Sequence, residues 1–157
     1  MQQDGLRAEI EALFYDYAEA IDQDRLEEWP EFFVEDGVYK IVSRENFDRG
    51  LPLATMLCES KAMMKDRVNA IRNLSMFAPR YLRHLITNVR VKTQGVDEIA
   101  VRSNYAVLQT LLGGETSVFN AGRYVDQIVR DGDFLKFKSR LCIYDTTVIP
   151  NSLIYPL

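Results

Sequence analysis

Between residues 116 and 144 the chain alternates as two long strands would, joined by a tight turn at Asp131-Gly132-Asp133. In the second strand Leu135, Phe137, Ser139, Leu141 and Ile143 share one face, and Lys136, Lys138 and Arg140 share the other. Period-two alternation of this kind predicts one buried and one polar face. The first strand differs, because Val118, Phe119, Ala121, Tyr124, Val125, Ile128 and Val129 put apolar groups on both of its faces. Such a strand requires cover on both sides. Helices of the same chain can cover the inner side, and another chain the outer.

Upstream, Leu6, Ile10, Leu13, Phe14, Tyr17, Ala18 and Ile21 recur at helical spacing and predict an amphipathic helix over 5–22, with Asp4 as N-cap. Leu26, Trp29, Phe32 and Phe33 predict a short helix that carries Pro30, and Asp36-Gly37 turns the chain into a short strand over 38–42. Residues 43–49 read as a polar loop, and 50–57, with Pro52, as an edge strand or extended arm. Ser60 is placed to cap a helix over 61–72 with the stripe Met64, Val68 and Ile71, followed by a loop over 73–80. A strand over 81–92 is expected to set Leu85, Val89 and Val91 on one face. A hairpin loop over 94–97 leads to a long strand over 99–112 with Ile99, Val101, Tyr105 and Val107 on one face, and Gly113-Gly114 makes the next hairpin turn.

Helices first and long antiparallel strands last argue an α+β fold with helices packed on one face of a curved sheet. Gly122, inside a long strand, marks a bend or bulge that would curl it. At 157 residues one domain over 1–157 is expected, with an ordered tail over about 145–157.

Composition narrows the chemistry. The net charge is −4 and no Lys/Arg cluster stands out, so nucleic acid and anionic membrane lack the basic footprint they need. The polar start has no signal-peptide core, and no apolar run is long enough to span a bilayer. A cytoplasmic protein is expected, with Cys58 and Cys142 as reduced, buried thiols. There is one histidine, His84. A Rieske cluster, which takes two Cys and two His, and a two-His-one-carboxylate iron site therefore cannot be built from the chain by itself.

The stretches RENFDRGLPL (44–53), ESKAMMKDRV (59–68), FNAGRYVDQIVR (119–130) and LKFKSRLCIYDTTVIPNSLIYPL (135–157) resemble the small (beta) subunit of bacterial aromatic-ring-hydroxylating oxygenases. Within that family they are most similar to the salicylate 5-hydroxylase small oxygenase subunit, and the small subunits of terephthalate dioxygenase are also similar. The opening helix, Trp29-Pro30-Glu31-Phe32-Phe33 and Asp36-Gly37-Val38-Tyr39 also resemble the nuclear-transport-factor-2-like cone. The resemblance implies a cone-fold scaffold with no catalytic residue and no metal of its own. It implies a large (alpha) subunit carrying the Rieske [2Fe-2S] cluster, the mononuclear non-haem iron and the substrate pocket. It also implies a trimer of this chain within an alpha3beta3 hexamer, served by a ferredoxin and a reductase. The expected reaction is ring hydroxylation of a benzoate-type acid such as salicylate, in aromatic catabolism.

Candidate residues follow from both sources. Val118, Tyr124, Ile128, Arg140, Tyr144 and Tyr155 are the subunit-interface candidates. His84, with Asp22 or Asp36 and Tyr15 or Tyr39, could form a general acid–base pocket in a stand-alone cone-fold dehydratase or isomerase. A hydrogen-bonded structural histidine is the commoner case. Met56, Met63, Met64 and Met76 are core filling by default, or the wall of a small apolar ligand cavity.

Overall fold

The computed structural model describes residues 2–73, 79–146 and 155–157. The chain runs through α1 (Gln2–Asp22), a 3-10 turn (Leu26–Phe32), β1 (Phe33–Ser43), α2 (Arg44–Asp48), β2 (Met56–Cys58) and α3 (Lys61–Asn73). It continues through β3 (Arg80–Gln94), β4 (Glu98–Leu111), β5 (Thr116–Asp131) and β6 (Phe134–Tyr144). These strands form one sheet in the order β2-β1-β6-β5-β4-β3. Neighbours are antiparallel except β1 and β6, which are parallel.

The apolar face of α1 buries Ile10, Leu13, Phe14, Tyr17 and Ile21 against β3 and β6. α3 buries Met64, Val68 and Ile71, packs on β1 and the 3-10 turn, and is capped by Ser60, whose Oγ accepts from the Met63 N–H at 3.2 Å. Met56 and Met64 fill the core, Met63 is exposed, and Met76 lies outside the described residues. So does most of the loop expected over 73–80.

Three local expectations are corrected. Residues 44–48 are helical, because the Ser43 Oγ accepts from the Asn46 N–H at 3.2 Å and so supplies an N-cap. α1 starts at Gln2, so Asp4 lies in its first turn, where its charge complements the helix dipole. In β3 the inward residues are Leu82, His84 and Val89, while Leu85 and Val91 are exposed. Asn88 adopts a left-handed φ of 56° where the register to β4 shifts, and this changes the phase of the strand.

β6 shows the same effect with larger consequences. Its pairing to β5 shifts between Gln127 and Ile128, which leaves Lys138 unmatched. Before the bulge Leu135 and Phe137 point inward; after it Arg140, Cys142 and Tyr144 do. Arg140 therefore lies in the core and not on the polar face that strict alternation assigned to it. Further bulges between β4 and β5 and within β3–β4 bend the sheet over α1. The backbones of β5 and β6 also approach closely at Gly122, where an added Cβ would lie 1.9 Å from the Ile143 carbonyl oxygen.

Candidate functional site

Asp22 stands at the C-terminal end of α1 and His84 on the inward face of β3. The Asp22 Oδ2 accepts from the His84 backbone N–H at 2.9 Å, and its Oδ1 lies 2.6 Å from the His84 Nδ1. A carboxylate at that position accepts, so Nδ1 carries the proton. The imidazole is wholly buried, and its Nε2 has no partner among the described residues. Tyr15, Asp22 and His84 all line one open cleft of about 230 Å³, beside Glu19 and Arg83, with Tyr15 on its solvent side. Asp36 and Tyr39 are elsewhere, on β1. The structure thus brings His84, Asp22 and Tyr15 to one cleft, but the imidazole itself is buried and its Nε2, the nitrogen that would exchange a proton with a substrate, is closed off from it. What the pair does in this arrangement is tie the end of α1 to β3.

The deepest polar group is an ion pair. Arg140 Nε and Nη2 donate to Asp126 Oδ1 and Oδ2 at 2.9 Å each, and neither side chain has any solvent exposure. Four rings enclose the guanidinium: its carbon lies 3.8 Å from the Tyr124 centroid, 4.2 Å from Phe137, 4.5 Å from Tyr17 and 4.6 Å from Phe14. Burial opposes both charges. At Arg140 the facing carboxylate outweighs it and the pKa lies above its ordinary value. At Asp126 burial outweighs the guanidinium and the carboxyl is raised. The bidentate fork geometry is that of an ionised pair.

The interface candidates divide accordingly. Val118 is exposed at 61%. Tyr124, Ile128 and Arg140 are completely buried within the chain and have no surface to offer a partner. Tyr144 is also buried, with its hydroxyl 2.8 Å from Thr55 Oγ1. Tyr155 is half-buried and donates to Asp24 Oδ1 at 2.9 Å. Asp126 was overlooked, although a signal was present: it falls in phase with Tyr124 and Ile128, and an acid on an apolar face needs a cation opposite.

Among the described residues none covers the whole outer face of β5. On the convex face Leu85, Ala106 and Ala121 stand in one cross-strand row, and Arg83, Leu108 and Val118 in the next. Leu85 and Val118 are exposed, and Tyr81, one step further along β3, is exposed at 65%.

Cys58 and Cys142 are free and buried, and burial pushes the Cys142 thiol up to about 12. Among the described residues no three His, Cys, Asp or Glu side chains group as a metal site, and no helix is long and apolar enough to cross a membrane.

Residues 17–151 match the family described as the ring hydroxylating beta subunit. The chain is 40% identical over 149 residues to the anthranilate 1,2-dioxygenase small subunit of Burkholderia cepacia, covering 95% of this chain and 92% of that one. It is 29% identical to subunit beta 2 of the terephthalate 1,2-dioxygenase terminal oxygenase component of a Comamonas species, covering 90% and 92%. A solved structure from Novosphingobium aromaticivorans, assigned as an aromatic-ring-hydroxylating dioxygenase beta subunit, superposes with a TM-score of 0.91 at 39% identity over the whole of both chains. A scytalone dehydratase-like protein of that organism shares the fold with a TM-score of 0.74 at 20% identity, covering 99% and 96%. The architecture is thus the nuclear-transport-factor-2-like cone.

Proposed function

The chain belongs to the family of ring hydroxylating beta subunits, and from that premise we propose that it is the scaffold of a Rieske-type oxygenase that hydroxylates a benzoate-type acid. The match over nearly the entire chain to a dioxygenase small subunit carries this reading. The iron groups do not fit the residues present. The single histidine is committed through Nδ1 to Asp22, and Cys142 is sealed beside the core ion pair. Both iron centres and the substrate pocket are therefore assigned to a large partner subunit, fed by a ferredoxin and a reductase in the cytoplasm.

The exposed rows around Leu85 and Val118 support assembly through the convex sheet face, in a trimer of this chain within an alpha3beta3 hexamer. The relatives named for anthranilate and terephthalate support an aromatic carboxylate as substrate, salicylate among the candidates. One observation, the His84–Asp22 contact, favours a second reading as a stand-alone dehydratase or isomerase. The sealed Nε2 weighs against it.

A tagged pull-down from the native cell, with an iron assay and absorption spectrum of the eluate, tests the proposal. The expected result is a larger, brown, iron-containing partner in equal amount. A colourless chain eluting alone, with turnover lost in His84→Ala, would establish the second reading instead.

A further inference from the structure

Leu157 is 1% exposed and belongs to the main core. Its backbone is held by side chains from three elements. Tyr17, on α1, donates its hydroxyl to the Leu157 carbonyl oxygen at 2.5 Å. The Tyr39 hydroxyl, on β1, accepts from the Leu157 N–H at 2.6 Å and reaches the same oxygen at 3.2 Å. The Cys142 Sγ, on β6, lies 4.0 Å from that oxygen. Aromatic walls surround these groups: the Trp29 ring is 5.1 Å from that of Tyr39, and the Phe32 ring 5.8 Å from that of Tyr17. The Arg140 guanidinium stacks on Tyr17 at 4.5 Å. At the rim the Tyr155 hydroxyl donates to Asp24 Oδ1 at 2.9 Å.

We infer that Tyr17, Tyr39 and Cys142 form a binding site for a small carboxylic acid with a compact apolar body, and that residues 155–157 are its built-in occupant. The occupant's chemistry defines the ligand's. Two phenolic hydroxyls converge on one oxygen, and the isobutyl group of Leu157 is buried in the core that also holds Tyr17, Trp29 and Tyr39. A carboxylate oxygen makes the stronger, charge-assisted bond to such donors. Burial raises the pKa of both phenols, which keeps them protonated and able to donate. A free ligand competes with the segment, so its apparent affinity falls with the fraction of time the segment is seated.

The test uses the full chain and the two buried thiols. Leu157→Lys places a charge that the core cannot hold, so the segment leaves and Cys142 opens to a small alkylating reagent. We expect Cys142 to label at least about tenfold faster than in the unaltered chain while Cys58 stays protected. Adding 4-methylpentanoate should restore the slow rate, 4-methylpentanol should not, and Tyr39→Phe in the same background should abolish the protection. Cys58 and Cys142 accelerating together, or no protection by the acid, overturns the inference. Should Leu157→Lys fail to fold, Tyr155→Phe removes the hydrogen bond to Asp24 at the rim. It must then give a smaller acceleration at Cys142 alone, reversed by the acid, and its absence overturns the inference as well.

Discussion

Arg140 and Asp126 face each other across β5 and β6 as a fully buried, bidentate ion pair inside a ring of four aromatic side chains. Breaking such a pair from one side strands the other charge in a dry core. Arg140→Met is therefore expected to cost about 3–5 kcal/mol, and Asp126→Leu a similar amount. The double variant removes both charges and should lose clearly less than the sum of the two. Denaturant midpoints of the four proteins check this, and additive losses would show that the two groups do not act as a pair.

Gly122 supplies a sharper test of the sheet. A methyl group there would meet the Ile143 carbonyl oxygen at 1.9 Å, with backbone and no flexible side chain in the way. Gly122→Ala should destabilise by more than about 3 kcal/mol or prevent folding. Gly5→Ala, where a Cβ meets nothing within 4 Å and the residue is helical, should be neutral or slightly stabilising. Thermal melts of the two variants would separate these outcomes, and a well-folded Gly122→Ala protein would contradict the close approach of β5 and β6.

The fold was legible in the sequence wherever period and position agreed. The hairpin turns at Asp131-Gly132-Asp133 and Gly113-Gly114, the α1 stripe and the Ser60 cap all follow local rules. What escaped was phase. One unmatched residue, Lys138, turns Arg140 inward, and Asn88 does the same for the end of β3. A bulge has no composition of its own, so alternation counted through it assigns the wrong face to every residue beyond. The same slip made an interface residue of Arg140 and hid its partner Asp126. Tyr124 and Ile128 failed differently: an apolar strand does not say which of its two apolar faces is the inner one. The His84–Asp22 pair was anticipated in residue type, whereas its closure depends on how α1 packs on β3, which no local pattern records.

His84→Ala separates a tether from a catalyst. Asp22 accepts from both the His84 backbone N–H and its ring. Removing the ring leaves a part-buried carboxylate with one partner fewer, at a cost of about 1 kcal/mol. The variant should unfold earlier and assemble less well. Turnover per intact complex should stay the same. A loss of turnover in a fully assembled complex would assign His84 a chemical role.

Acid should loosen one identifiable joint. Arg72, in the last turn of α3, donates to Glu27 at 2.8 and 3.0 Å and to Asp24 at 2.9 Å. The hydrogen bond from Arg72 lowers the Glu27 carboxyl from 4.5 to about 2. A depressed carboxyl stabilises the fold above its unfolded pKa, and that contribution is lost as pH falls from about 4.5 through about 2. Since Glu27 is largely exposed, solvent screening keeps the contribution below about 1 kcal/mol. The melting-temperature gap between the unaltered chain and Glu27→Gln should close over that window. A gap unchanged with pH would remove Glu27 from the joint.

The convex face carries the last prediction. Leu85 and Val118 are exposed at 46% and 61%, in adjacent cross-strand rows, while their strand neighbours His84 and Phe119 are buried. A charge placed at either exposed site costs the free chain little, because water already reaches it. Within a subunit interface the same charge would be stripped of water without a partner. Leu85→Glu and Val118→Glu should therefore leave the melting temperature of the isolated chain within a few degrees of its starting value, corresponding to roughly 0.5 kcal/mol. Both should shift the assembled complex toward free subunits in sedimentation or light scattering. The paired control is Val96→Glu, at a loop site with full exposure and no apolar neighbours in register, which should leave assembly unchanged. If all three variants assemble alike, the outer face of β3–β5 is not the joint, and the apolar groups on the outer side of β5 need a different partner.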